Sequence, residues 1–255
     1  MRYTLQVQYI GKNYAGSQIQ FENGIEIQTP TIQGELEKAI STLIFGDTEN
    51  NNRQLKTVFS GRTDRGVNSK GQIIHFDTDK PIVASKFVYQ LNEILPKDIS
   101  VSDLKQVDAS FHAQKSAKRR FYRYVFINRK CKNAFDGDLM RIKYDINIER
   151  MQNALNYLLG EHDFSSFKSS GTLNPSKVCF IEKAECKKDG DFVIIDIVGN
   201  RFLYNMIRTI VGTLLEIEGH NRSAEYMKQV LEACDRKKAG QTVSPHGLTL
   251  MKAEY

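Results

Sequence analysis

Asp64 stands between Arg62 and Arg65 in the run Gly61-Arg62-Thr63-Asp64-Arg65-Gly66-Val67, with a glycine on either side of the group. Apolar residues lead into the loop from Leu55 to Phe59 and follow it at Ile73, Ile74 and Phe76, so both flanks read as strands. A loop carried by two paired strands can hold a polar side chain over a sheet, where a ligand reaches it. Asp and Gly are also turn residues by composition, and on spacing alone the commoner reading of such an Asp is the cap of a turn.

A second group has a different chemistry. Lys115, Lys118, Arg119, Arg120 and Arg123 crowd one stretch, interleaved with Phe121, Tyr122, Tyr124 and Phe126. Cations grip phosphates and aromatic faces stack on unpaired bases, at roughly 1–3 kcal/mol per base, so the mixture suits RNA. A strand with core aromatics and solvated charges has the same composition. That reading fits Phe121 and Phe126, while for Tyr122 the spacing leaves both open. The run Arg129-Lys130-Cys131-Lys132, and Lys168 and Lys177 around Ser169-Ser170-Gly171, extend the positive charge, although such runs usually form solvated faces.

Arg208 lies beside Ile207 and Val211 in an otherwise apolar stretch. Its stem could pack along the stripe with the head in water, or its planar fork could pair with a carboxylate in a closed site. His75 and His162 have no carboxylate or nucleophile at a telling spacing and read as structural.

The elements that must carry these groups come in a repeated order. A strand near 3–10 leads to a helix near 31–45, with Ile32, Leu36, Ile40, Leu43 and Ile44 on one side. Strands near 55–60 and 71–77 follow, then a helix near 84–95 carrying Phe87, Leu91, Ile94 and Leu95, and a strand near 99–108. The second half opens with a strand near 119–127 and a helix near 148–160, for which Gly160 is the expected C-cap. A hairpin near 178–198 should turn at Asp189-Gly190. Helices near 202–218 and 223–234 and a strand near 248–254 complete it.

Two successive β-α-β-β-α-β units are a doubled ferredoxin-like arrangement, so the expected class is α+β with mainly antiparallel sheet. The expected subdomains are 1–112, with the Asp64 loop, and 113–255, with Tyr122, Arg208 and Leu248.

The 255 residues suffice for one large or two small apolar cores. Hydrophobic residues make up 40% and charged residues 26%, as in ordinary globular proteins. No apolar run approaches the roughly 20 residues of a membrane span, and the alternating N-terminus is expected to be a strand, not a leader. Cys131, Cys179, Cys186 and Cys234 form no CxxC pair, which points to reduced thiols in a cytoplasmic protein and away from a zinc site. The net charge of +6 favours a polyanionic partner.

The Asp64 loop resembles the catalytic loop of the tRNA pseudouridine synthase A family, whose pattern reads GRTDxGVHAxGQVxxF. The match holds at Gly61, Arg62, Thr63, Asp64, Gly66, Val67, Gly71, Gln72 and Phe76. Four further segments match in order: Thr31–Glu37, Arg120–Tyr124, Gly160–Phe167 and Phe202–Arg208. The resemblance therefore spans nearly the whole chain. It implies two α/β halves whose sheets join and leave a basic central cleft.

It also implies conversion of uridine to pseudouridine in the anticodon stem-loop of tRNA, with no redox, nucleotide or metal cofactor. Asp64 would act as nucleophile or as base, two routes that the sequence leaves open, with Arg208 pairing with it. Tyr122 would stack on the uracil and remove the C5 proton. Leu248 would pack on the other side of the base, Arg62 would prise the nucleotide from the stem, and Lys118 and Arg120 would join in binding the RNA. A homodimer bridged by tRNA is the implied assembly.

The chain departs from the pattern at several places. Asn68 replaces the usual His, Ile10 stands in place of Asp, Ser17 in place of Trp, and Gln241 and Ser244 in place of prolines. A divergent paralogue acting on another RNA site is one alternative that these changes leave. A non-catalytic RNA-binding module and an enzyme of glycosidic hydrolysis are the rivals from other classes; the first has no use for an ionised carboxylate, and the second would release free base.

Overall fold

The computed structural model describes residues 1–22, 25–26, 28–46, 55–169 and 176–255, so Ser170 and Gly171 of the loop between Lys168 and Lys177 lie outside the described residues. The protein is a mixed α+β chain with mainly antiparallel sheet. It divides into two compact units, Met1–Lys118 with Leu250–Tyr255, and Arg119–Thr249.

In the first unit, β1 (Arg2–Tyr9) precedes the two-residue strands β2 (Phe21–Glu22) and β3 (Ile25–Glu26), then α1 (Ile32–Phe45), β4 (Thr57–Phe59), β5 (Asn68–Asp77), α2 (Ala84–Ile94) and β6 (Ile99–Val107). The strands β6-β1-β5-β4 lie in that order and each neighbouring pair is antiparallel. That is the ferredoxin-like β-α-β-β-α-β order.

Helix α1 starts where the Thr31 side chain accepts a hydrogen bond from the Gly34 N–H at 3.1 Å, a standard N-cap. It buries Ile32, Leu36, Ala39, Ile40 and Ile44 at helical spacing. These pack with Tyr3, Leu5 and Val7 of β1 and Ile74 and Phe76 of β5 into one core. In α2, Phe87 and Leu91 are buried but Ile94, expected inside, is 46% exposed. The helix ends there, and the extended backbone of Leu95 carries that side chain inward instead.

The second unit contains β7 (Arg119–Asn128), β8 (Arg141–Ile142), α3 (Ile148–Asn156), β9 (Gly160–Asp163), β10 (Val178–Asp189), β11 (Phe192–Gly199), α4 (Met206–Gly219) and α5 (Glu225–Ala233). The sheet runs β7-β11-β10-β9 with antiparallel neighbours, and β8 adds a short parallel pair to β7. The hairpin closes on the pair Asp189 and Phe192, so its turn is Gly190-Asp191, one residue later than expected.

Helix α3 stops at Asn156, and Gly160, at φ +94°, opens β9 rather than capping the helix. Helix α4 begins at Met206, four residues later than its apolar pattern suggests. Asn205 before it is left-handed at φ +61°, a conformation that cannot continue a right-handed helix.

The last strand, β12 (Leu248–Glu254), corrects the expected extent of the halves. From Leu250 onward it belongs to the first unit, beside β5. There the Ser69 hydroxyl donates to the Leu250 carbonyl at 3.3 Å and the Lys118 N–H to the Glu254 carbonyl at 2.7 Å. Gly71 makes room for it, since a Cβ at that position would lie 2.4 Å from the Met251 carbonyl oxygen. Residues 113–118 also fall in the first unit rather than the second, with the Ala113 carbonyl accepting from the Tyr255 hydroxyl at 2.9 Å.

Candidate active site

The Asp64 loop joins β4 to β5, whose pairing holds its two ends together. The Ser60 N–H donates to the Ile73 carbonyl at 2.8 Å, and the Ser60 hydroxyl donates to Gln72 Oε1 at 2.5 Å. The Gln72 amide group in turn donates to the Gly61 carbonyl at 2.9 Å. Thr63 is gripped by Ser17, whose hydroxyl oxygen accepts from the Thr63 N–H at 2.8 Å and whose N–H donates to the Thr63 carbonyl at 3.0 Å. Asp64 itself pairs with Gly16 in an isolated antiparallel bridge, and the Val67 N–H returns to the Asp64 carbonyl at 3.1 Å.

Ser17, Ser60 and Gln72 are fully buried and Thr63 nearly so, while Arg62 and Arg65 are exposed and Asp64 is half-buried. The loop therefore has a rigid base and a charged outer rim. The Tyr9 hydroxyl lies against Thr63 Oγ1, and burial raises its pKa above the usual phenol range, so it remains protonated. The sequence alone does not mark Ser17, Ser60 and Tyr9 as site residues, because their partners lie up to 63 residues away along the chain. Of the departures, Asn68 now has a visible role: its side-chain oxygen accepts from the Gly11 N–H at 2.9 Å.

The other site residues read from the sequence lie on the second unit, apart from Lys118. Tyr122 is on β7, opposite Ile197 of β11, with its ring edge-on to Phe202 at 5.2 Å between centroids. Arg208 is on α4, where Nε donates to the Val243 carbonyl at 2.8 Å and Nη1 to Asn205 Oδ1 at 2.7 Å. Two of its donors are thus used to fix the guanidinium plane. Leu248 is buried at the start of β12. Lys118 closes the first unit's sequence before β7 and is exposed.

The basic stretch is more engaged than its composition suggests. Arg123 makes a two-pronged pair with Asp196, its cross-strand partner, at 2.7 and 2.9 Å. Arg119 pairs with Glu182 at 3.0 Å, and buried Arg120 donates to the Asn200 carbonyl at 2.6 Å. Arg129 is paired with both Asp136 and Asp191. Phe126 is fully buried, as its core reading requires.

The histidines have structural partners. His75 Nδ1 accepts from the Ala113 N–H at 3.1 Å, and burial, reinforced by Arg2 and His112, lowers its pKa to about 4, leaving a neutral ring. His162 Nε2 lies 2.7 Å from the Leu159 carbonyl. All four cysteines are free thiols, and burial pushes Cys179 up to about 11. Among the described residues no helix is long and apolar enough to cross a membrane.

Comparison with known proteins shows the family. The family model described as tRNA pseudouridine synthase matches residues 154–255. A tRNA pseudouridine synthase A of Anoxybacillus flavithermus is 42% identical over 98% of this chain and 96% of its own length. One of Thermoanaerobacter is 40% identical over 98% of this chain and 97% of its own, and one of Francisella philomiragia is 38% identical over 99% and 93%. The chain belongs to the tRNA pseudouridine synthase A family.

Proposed function

We propose that this chain is an isomerase that converts uridine to pseudouridine in the anticodon stem-loop of tRNA. The observation that carries the reading is the Asp64 loop, anchored by buried polar contacts at Ser60, Gly61 and Thr63 in a chain 38–42% identical to named tRNA pseudouridine synthases A along nearly its whole length. In the reaction the bond from ribose C1′ to N1 breaks, the uracil turns, and C1′ bonds to C5. The proton lost from C5 is matched by one gained at N1. Because atoms and electrons balance, the isomerisation calls for no redox, nucleotide or metal cofactor.

A uridine in a stem must leave its stack, at a cost of a few kcal/mol. We assign Arg62 to displacing the nucleotide and Lys118 and Arg120 to the RNA backbone. Tyr122 and Leu248 take the two faces of the uracil, and stacking on one ring offsets roughly 1–3 kcal/mol. Asp64 acts on the sugar, either attacking C1′ or drawing off the 2′ proton, and both routes need the ionised carboxylate. Arg208 keeps that form favoured. Tyr122, positioned over the turned base, takes the C5 proton. A cytoplasmic homodimer completes the reading.

The test is to incubate the protein with unmodified tRNA transcripts and map pseudouridine by carbodiimide-based primer extension, with Asp64→Asn beside it. Asp64-dependent stops in the anticodon arm support the reading. Stops confined to other RNA, or stops that survive Asp64→Asn, contradict it.

A further inference from the structure

We propose that Ser17 and Tyr9 are positioning residues for the Asp64 carboxylate, acting through Thr63 without touching substrate; this rests on the reading of Asp64 as the catalytic group. Every polar atom of Thr63 is held by one of the two. Its N–H donates to Ser17 Oγ at 2.8 Å, and its carbonyl accepts from the Ser17 N–H at 3.0 Å and from the Ser17 hydroxyl at 3.4 Å. Its own hydroxyl lies 2.8 Å from that of Tyr9, which also accepts from the Gln72 amide group at 3.4 Å. Ser17 is 0%, Tyr9 3% and Thr63 6% exposed, so water cannot take the place of either partner.

The consequence falls on the next residue. A peptide fixed at its N–H, its carbonyl and its side chain sets the direction in which the chain enters Asp64, and the Gly16 bridge sets the same strand from outside. Neighbouring Arg62 and Arg65 are exposed, so the rigidity is concentrated on the peptide that delivers the carboxylate. A buried polar clamp of this kind is a costly way to gain stability alone, because each group must be satisfied or it destabilises. It is an effective way to hold a reacting group, where a misplacement of about 1 Å costs on the order of a hundredfold in rate.

The experiment compares Ser17→Ala, Tyr9→Phe and Asp64→Asn with the unaltered protein, reading the single-turnover rate of pseudouridine formation, the Kd for a tRNA transcript, and the melting temperature. The proposal expects Ser17→Ala and Tyr9→Phe to lose on the order of 10- to 100-fold in rate while Kd stays within about twofold. A merely structural role would not split rate from affinity in a protein still folded at the assay temperature. If Ser17→Ala does not fold, Tyr9→Phe, which removes a single oxygen, decides by the same split. Rates equal to the unaltered protein, or rate and affinity lost in proportion, overturn the proposal while leaving Asp64 in place, provided Asp64→Asn is inactive. An active Asp64→Asn overturns the reading of the site, and this proposal with it.

Discussion

Gly212 and Gln241 approach so closely that a Cβ on Gly212 would lie 1.7 Å from the Gln241 carbonyl oxygen. The contact lays the segment after α5 along α4. The Gly240 N–H donates to Thr213 Oγ1 at 2.9 Å, and Thr209 and Thr242 bring their hydroxyls to 3.2 Å. The segment then accepts from Arg208 at Val243 and from the Tyr124 hydroxyl at Ser244, before reaching Leu248. Two residues assigned to the reaction, Arg208 and Leu248, are thus linked by one segment whose seat on α4 depends on a missing side chain.

Gly212→Ala tests that seat. The added methyl cannot fit without displacing backbone, so the cost expected is about 2 kcal/mol or more. For a chain of this size that lowers the melting temperature by roughly 4–8 °C. A change within about one degree would contradict the packing described, and calorimetry or circular dichroism reads it directly.

Tyr122→Phe separates stacking from proton removal. The ring, its contact with Phe202 and the strand pairing with Ile197 remain, so tRNA affinity should hold within about twofold, while turnover falls by on the order of a hundredfold or more, at the lower range of general-base contributions. A mutant with normal turnover would leave Tyr122 a stacking residue only.

Stability should depend on pH through His75. In the folded chain its pKa is lowered to about 4 from an ordinary 6.5, chiefly by burial and then by Arg2 and His112. The unfolded chain binds the proton first, so stability rises with pH across that window. The contribution of the neutral ring is complete above about pH 6.5 and is lost as the pH falls toward about 4. Melting temperatures measured from pH 7 to pH 4 should fall less steeply in His75→Asn than in the unaltered protein. Parallel curves would show that another group governs the acid limb.

Binding to tRNA should weaken steeply with salt. Each phosphate contact releases counterions, so log K should fall by about 0.7–0.9 per contact for each tenfold rise in salt. A flat titration would contradict phosphate gripping by the basic residues. Arg119 and Arg123 are already paired with Glu182 and Asp196, so removing either acidic partner should raise affinity rather than lower it, a direction that competition binding can read.

Much of the fold was legible because its information is local. Apolar spacing in α1, the Thr31 cap, the alternation of β1 and the apolar residues Ile73, Ile74 and Phe76 of β5 each declare their element within a dozen residues, and the order of elements then points to the ferredoxin-like units. The Asp64 loop was legible for the same reason, as one contiguous run. What was hidden is set by tertiary partners. Nothing beside Ser17 in sequence says that its hydroxyl will accept from Thr63, 46 residues away. The pairing of Arg123 with Asp196 needs the register of β7 on β11, and without it the basic stretch looks wholly available to phosphate. The start of α4 was misread because the apolar pattern runs back through Leu203, whereas the left-handed Asn205 decides where the helix begins. Gly160 looked like a helix cap because a positive φ serves the opening of β9 as readily as the end of α3.

Asp64 is the residue we assign to the isomerisation of uridine in tRNA. The most direct measurement uses tRNA carrying tritium at C5 of uridine and follows tritium release to water alongside any free uracil, in the unaltered protein and in Asp64→Asn. Isomerisation removes the C5 proton and keeps the base on the ribose, so the expected result is tritium release, no free uracil, and loss of the signal in Asp64→Asn with tRNA binding retained. Free uracil, or tritium release that survives Asp64→Asn, would contradict it.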